Sequence, residues 1–138
     1  HAIRSLAGEF PALVEQVPGG KMRLKIRLYK YTRSNTARLL GLNDGGSSVL
    51  GNFIRTYRNE TASFAGPGLT EPVIMIYDND DGANSIRTAI NDVSKVKPTR
   101  AEAFMHVVRN LYAVPTPLQD GVSSSKIEDF LTLESKRL

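Results

Sequence analysis

The chain has 138 residues, a formal net charge of +4, and 41% hydrophobic and 23% charged residues, which is typical of one globular domain with a real core. It has no cysteine, which excludes disulfides and thiolate metal sites and fits a cytoplasmic protein. The two histidines lie far apart in sequence and no apolar run could span a membrane, so neither a zinc site nor a membrane partner is expected. The mildly basic charge permits a nucleic-acid partner.

The first sixteen residues have apolar side chains near helical spacing, which predicts helix, kinked or divided at Pro11. No N-cap residue precedes this pattern, which suggests that the native chain continues upstream. After a turn at 18–20, residues 21–28 alternate basic and apolar side chains and predict a strand with one buried and one cationic face. That cationic face either discourages edge pairing or contacts nucleic-acid phosphates. It consists of Lys21, Arg23, Lys25 and Arg27.

A polar connection at 32–47 holds a short segment at 37–40 and ends in Gly-Gly-Ser-Ser. Ser47 or Ser48 is expected to cap the helix that follows, whose apolar stripe runs from Val49 to Tyr57. A glycine-rich turn before a helix could also hold a phosphate, although the signal is unspecific.

The apolar run 72–77 predicts a strand that ends in Asp78-Asn79-Asp80 and leads into a helix at 83–93. Because a strand alternates its side chains, Asp78 and Asp80 should project to the same side. Two neighbouring carboxylates repel each other unless a cation lies between them, and Mg²⁺ prefers such oxygen ligands. The alternative is an Asx-rich turn that caps the next helix.

A strand at 107–114 and a helix beginning near 123 complete the pattern. Helices and strands thus alternate, which predicts an α/β domain with a largely parallel sheet and a ligand site at the carboxyl ends of its strands. Glu128 and Asp129 follow the last strand and could add metal ligands, with Lys126 available for a phosphate. Equally, Ser125 and Glu128 have the spacing of a capping box, which needs no metal.

Several phrases of the sequence together resemble a known family. The strand 73–77 followed by Asp-Asn-Asp-Asp-Gly-Ala is similar to the D-x-D strand of Toprim domains, found in topoisomerases, primases and some nucleases. The phrases at 110–118, 125–130 and 41–46 further resemble the Toprim-like C-terminal extension of some retron reverse transcriptases. The resemblance covers essentially the whole chain.

The resemblance implies a three-layer, Rossmann-like Toprim domain over residues 1–138, with a mostly parallel sheet flanked by helices. It implies a site for Mg²⁺ or Mn²⁺ with Asp78, Asp80 and Glu128 as catalytic ligands and Asp129 as a further ligand. The expected partners are DNA or a DNA–RNA hybrid and the reverse transcriptase region of the same polypeptide, in the cytoplasm of a bacterium and in anti-phage defence. Oligomerisation is left open.

One feature of the family has no counterpart in the sequence. Toprim domains carry a glutamate at the end of their first strand, and here Glu9 and Glu15 lie in or beside the opening helix pattern. We therefore expect a fragment that starts after this motif. Two functions follow: a nuclease-like phosphoryl-transfer module, in which Arg87, Lys126 and the cationic strand contact nucleic acid, or a non-catalytic module that binds nucleic acid or a partner.

Overall fold

The computed structural model describes residues 8–27, 35–42, 46–63 and 71–130. These residues belong to two compact units, the first within residues 1–30 and the second within residues 31–138. No helix in these described ranges is long and apolar enough to cross a membrane.

The first unit is built on a β-hairpin. A single 3₁₀ turn at Pro11–Leu13 precedes β1 (Val14–Val17), which pairs antiparallel with β2 (Lys21–Leu24). Gly19 and Gly20 have φ angles of 86° and 72°, a region that glycine adopts without strain, and this closes the turn. An ion pair of 2.7 Å between Glu15 and Arg23 joins the two strands.

The hairpin corrects the helix predicted to residue 16. Pro11 breaks the helical hydrogen-bond pattern, and the turn at 18–20 lets Val14 and Val17 pair with β2 instead. The strand predicted at 21–28 is confirmed for Lys21–Leu24, while residues 1–7 and 28 lie outside the described residues. Its expected buried face is wrong, because Met22 is 44% exposed.

The second unit contains a three-stranded sheet in the order β3-β5-β4. These strands are β3 (Val73–Tyr77), β4 (Met105–Val108) and β5 (Leu111–Pro115). β3 and β5 are parallel, whereas β4 and β5 are antiparallel. The protein is therefore of the α/β class, with a mixed sheet in its described part.

The strand predicted at 107–114 is in fact a tight hairpin. The chain reverses at Arg109 and Asn110, where Arg109 has a φ of 52°. No glycine marks this turn. Instead the Tyr57 hydroxyl donates to Asn110 Oδ1 at 2.7 Å, and Asn110 Nδ2 donates to the Glu71 carbonyl at 2.5 Å. Tertiary hydrogen bonds to a buried side chain thus hold the reversal.

In the described residues of the second unit, three helices accompany the sheet: α1 (Asn35–Leu39), α2 (Ser47–Ser63) and α3 (Asn84–Ser94). The Gly46 carbonyl accepts the first helical hydrogen bond from the Leu50 N–H at 3.0 Å, so Gly46 is the N-cap and the predicted capping by Ser47 or Ser48 is wrong. The α3 helix begins one residue later than predicted.

One face of the sheet packs against α2 and α3. The core between them is formed by alternate strand residues and by the apolar faces of the helices, and Ile54, Ile90 and Leu111 are almost completely buried in it. Ile74 and Ile76 lie on the other face of β3 and are 58% and 56% exposed. Within the described ranges, helices therefore cover one face of this sheet.

The last described element is a 3₁₀ helix at Ile127–Phe130. The helix predicted from residue 123 is wrong for residues 123–126, because Ser125 forms a β-bridge with Asn79 there, and residues 131–138 lie outside the described residues.

Candidate cation site at the carboxyl edge of the sheet

The Asp-Asn-Asp segment continues the extended course of β3 beyond its last paired residue. Asn79 forms an isolated antiparallel bridge with Ser125, and Asp80 has extended backbone angles of −123° and −173°. Side chains in extended backbone alternate between two sides. Asn79 accordingly points inward and is 1% exposed, while Asp78 and Asp80 are half-buried on the opposite side. The predicted same-side arrangement of the two aspartates follows from this alternation.

Asn79 fixes this arrangement through its side chain. Its amide nitrogen Nδ2 donates to the carbonyl oxygens of Arg100 and Thr116, at 2.8 and 3.2 Å. Its backbone N–H donates to Thr116 Oγ1 at 2.9 Å. The Asn79 side chain cannot rotate toward solvent without losing both of its hydrogen bonds. It therefore fixes the direction of the two neighbouring aspartates.

Asp78 connects the strand end to the last described segment. Its Oδ1 accepts a hydrogen bond from the backbone N–H of Ile127 at 2.9 Å. This bond brings the segment that carries Glu128 next to Asp78, although the two residues are remote in sequence. The second carboxylate oxygen of Asp78 has no donor among the described residues.

Asp80 is held through its backbone rather than its carboxylate. Arg87 Nη2 donates to the Asp80 carbonyl and to Asn84 Oδ1, both at 2.8 Å. Gly82 accommodates the Asp80 carboxylate, because a Cβ at this glycine would lie 3.0 Å from Asp80 Oδ1. In the described part of the chain no donor reaches this carboxylate, which leaves it available to a cation.

Arg87 therefore lies at the carboxyl edge of the sheet, where its hydrogen bonds hold the loop after β3. Burial raises the pKa of the Tyr77 hydroxyl, and the charge of Arg87 partly opposes that shift. One guanidinium nitrogen of Arg87, Nη1, is buried and has no partner among the described residues.

Asp81 does not join the two aspartates as a ligand. Its carboxylate pairs with Arg100 Nη2, and Arg100 Nη1 donates to the Ser123 carbonyl at 2.6 Å. Arg100 thus ties the loop after β3 to the segment before Ser125. Sequence reasoning missed Arg100 and Thr116 because nothing in their local sequence indicates such long-range contacts.

The two residues of the second acidic cluster, Glu128 and Asp129, differ in their contacts. Asp129 Oδ2 accepts from the Lys126 backbone N–H at 2.8 Å, so one of its oxygens already serves a local turn. Glu128 is exposed and has no hydrogen-bond partner among the described residues. Ser125 does not form the predicted capping box, because its Oγ donates to the Thr116 carbonyl at 2.9 Å and its N–H donates to the Asn79 carbonyl.

The acidic side chains at this edge fit a cation held by two carboxylates better than a cation held by all four predicted ligands, Asp78, Asp80, Glu128 and Asp129. In the described ranges, no three His, Asp or Glu side chains come together as a group that could hold a metal ion. Asp78 and Asp80 fit, because they share a side and each retains a free carboxylate oxygen. Mg²⁺ commonly uses one or two protein carboxylates and completes its shell with water and substrate phosphates.

The predicted nucleic-acid contacts lie in both units. Lys21, Arg23, Lys25 and Arg27 are exposed in the first unit, where Arg23 pairs with Glu15. Lys126 is exposed in the second unit, beside the acidic residues.

No protein-family model and no solved structure matches this chain. The likeness to Toprim domains therefore rests on the sequence phrases alone. Any proposal about the chemistry of the site rests on Asp78 and Asp80 at the carboxyl edge of the sheet.

Proposed function

We propose that the chain is a Toprim-like module of a retron reverse transcriptase that binds Mg²⁺ or Mn²⁺ at Asp78 and Asp80 and transfers phosphoryl groups of DNA or a DNA–RNA hybrid. The observation that supports this most strongly is the pair of half-buried carboxylates on one side of an extended segment, with Asn79 locked inward between them. A divalent cation between two carboxylates that project to the same side would offset their mutual repulsion.

When bound, the cation would polarise a phosphate and lower the pKa of a coordinated water. The protein's own residues supply orientation: Ile127 positions the Asp78 carboxylate, and Arg87 fixes the backbone at Asp80. Glu128 follows Ile127, whose N–H binds Asp78, and its carboxylate has no partner among the described residues.

A non-catalytic binding module is the second candidate. The absence of a third acidic ligand from the described part of the site favours it, because two carboxylates can hold a cation that bridges to a phosphate without supplying an acid or base. In this version the edge holds nucleic acid in place without cutting it.

Calorimetric titration of the chain with MnCl₂ tests the cation site. We expect saturable binding, and Asp80→Asn should abolish it. Glu60→Gln is the matched control, since it also converts an exposed carboxylate to an amide but lies near the end of α2. Binding that survives Asp80→Asn, or is lost equally in Glu60→Gln, would contradict the site.

Cleavage of a labelled DNA–RNA hybrid with added Mg²⁺ or Mn²⁺ separates the two functions. The catalytic version requires metal-dependent products that disappear in Asp78→Asn and Asp80→Asn. Retention of the hybrid without cleavage, with affinity that depends on the metal, supports the binding module.

A further inference from the structure

The face of the sheet turned away from α2 and α3 is apolar and open. None of the three strands contains an aspartate, glutamate, lysine or arginine. The strand register places six side chains on this face in two rows. One row consists of Ile74, Tyr112 and His106, and the other of Ile76, Val114 and Phe104, which directly precedes β4. A sheet with parallel strands is ordinarily covered on both faces, so this face needs an occupant.

Three ring side chains form a cluster on the open face. Tyr112 lies at its centre, with its ring centroid 6.2 Å from that of Phe104 and 5.2 Å from that of His106. His106 Nε2 lies 2.5 Å from the Arg109 carbonyl oxygen, which is an acceptor, so a donated hydrogen bond holds the imidazole in place. Phe104 is 64% exposed. The cluster therefore presents to solvent a fixed aromatic surface of the kind on which nucleic-acid bases stack.

The open face continues without a break into the candidate cation site. Ile74, Ile76, Asp78 and Asp80 are alternate residues of one extended segment, and the residues between them are buried. Alternate residues share a side of a strand, so these four side chains project over the same face. Neighbouring members of the row are about 7 Å apart along the strand. A chain-like ligand that lies on the apolar face therefore reaches the carboxylates at its end.

Size and chemistry favour a single nucleic-acid strand over a second copy of this chain. A stable protein interface takes about 20–30 residues from each partner, which is far more than the six side chains of this face. A single strand needs only a few stacking positions, because every base has a π-face. Its bases match the aromatic rows, and its phosphates match a cation held by Asp78 and Asp80. In a duplex the bases stack on one another and are not available to the rings.

We propose that the open face of the sheet binds single-stranded nucleic acid, whose bases stack on Phe104 and Tyr112 while a phosphate of the same strand reaches the cation site. The choice of nucleic acid rests on the proposed function. The preference for a single strand rests on the exposed rings and on their continuity with the two carboxylates. The face thus defines the part of the substrate next to the reacting phosphate.

Fluorescence anisotropy with a labelled oligothymidylate of about ten nucleotides, in buffer with a chelator, tests the face by itself. We expect saturable binding that is tighter than binding of a duplex of the same length. Phe104→Leu keeps an apolar side chain but removes the ring, and should weaken binding by about tenfold. Phe10→Leu makes the same change at an exposed phenylalanine of the first unit and should alter affinity by less than about twofold.

A second pair of variants places a carboxylate on the apolar face. Ile76→Glu should weaken binding of the oligothymidylate, since a negative charge would lie beside the strand. Val96→Glu adds the same charge at an equally exposed position after α3 and should have little effect. Absence of saturable binding, a preference for the duplex, or equal effects of the face and control variants would overturn the proposal.

Two further measurements separate this proposal from the cation site and from other occupants. Binding of the oligothymidylate in chelator should persist in Asp80→Asn, so failure of the cation site would leave the face standing. Loss of oligothymidylate binding with intact Mn²⁺ binding would reject the face alone. Sedimentation of the chain without nucleic acid examines self-association. A dimer that Ile76→Glu dissociates and Val96→Glu does not would assign the face to a second copy and overturn the proposal.

Discussion

Asn79 and Ser125 exchange two backbone hydrogen bonds, with N–O distances of 2.8 and 3.1 Å. This bridge joins the Asp-Asn-Asp segment to the acidic segment near the end of the described chain. Thr116 lies between them and bonds Ser125 through both its hydroxyl and its carbonyl. The loop after β3 and both ends of the connection after β5 are thus fixed at the carboxyl edge of the sheet by one buried polar network. The rigidity of this network decides where the carboxylates point.

Removal of the Asn79 side chain should weaken this network. Asn79→Ala removes the side-chain donor to the Arg100 carbonyl and one of the two donors to the Thr116 carbonyl, which should lower the free energy of unfolding by about 1–3 kcal/mol. Urea denaturation followed by circular dichroism measures this loss. Asn91→Ala, at an exposed position of α3, should change stability by less than about 0.5 kcal/mol. Equal stability of the two variants would contradict the role of Asn79.

The hydrogen bond from Ile127 to Asp78 should control the mobility of the second acidic segment. Asp78→Ala removes the acceptor, so the Ile127 amide should exchange with solvent about tenfold faster. Hydrogen exchange followed by NMR measures the rate. Asp120→Ala, an exposed turn residue, serves as the comparison and should leave exchange at Ile127 unchanged. Unaltered protection in Asp78→Ala would show that other contacts hold the segment.

Close packing of α2 on α3 should make Gly51 sensitive to substitution. A Cβ at this position would lie 2.8 Å from the Ser85 carbonyl oxygen, so the helices would have to separate. Gly51→Ala should therefore destabilise by about 1–3 kcal/mol, although alanine favours helix by about 1 kcal/mol over glycine. Thermal unfolding tests this, with Asn59→Ala on the exposed side of α2 as the control. A stabilised Gly51→Ala would disprove the close approach.

Stability should decrease in alkaline solution because of two buried tyrosines. Burial is the largest cause that raises the pKa of Tyr57 and Tyr77 above the ordinary value of 10.0. Above that value the unfolded chain loses these protons first, so the stability they contribute is present below pH 10.0 and declines as the pH rises through the folded-state pKa.

Tyr77→Phe isolates this effect, since no hydrogen bond of its hydroxyl exists among the described residues. The variant should lose less stability than the parent between neutral pH and the alkaline range, as urea midpoints at each pH would show. Tyr57→Phe also removes the 2.7 Å bond to Asn110, so it should be less stable at neutral pH as well. Parallel pH profiles for Tyr77→Phe and the parent would exclude its contribution.

Local sequence was sufficient for the elements whose hydrophobic periodicity is strong. The apolar run before Asp78 predicted β3, and the stripe from Val49 to Tyr57 predicted α2, because periodicity reports directly which face is buried. Periodicity failed where a turn interrupts a short run. The spacing of Leu13, Val14 and Val17 fits a helix, yet pairing of residues 14–17 with β2 decided in favour of a strand.

Part of the site was equally accessible from sequence. Alternation placed Asp78 and Asp80 on one side, and the same rule makes Asn79 the residue that points inward. The capping box at Ser125 failed, since Thr116, nine residues earlier in the same connection, binds the Ser125 hydroxyl. The partners of Arg100 and Asn110 were also beyond sequence reasoning, because each contact spans many residues.

Local patterns were enough to predict the α/β class, the extended strand β3 and the two aspartates at its end, because these depend on alternation and hydrophobic pattern within a few residues. The hairpin of β4 and β5 and the contact between Asp78 and the segment that carries Glu128 emerged in the folded chain alone. These features depend on hydrogen bonds and packing between residues distant in sequence, which no local pattern encodes.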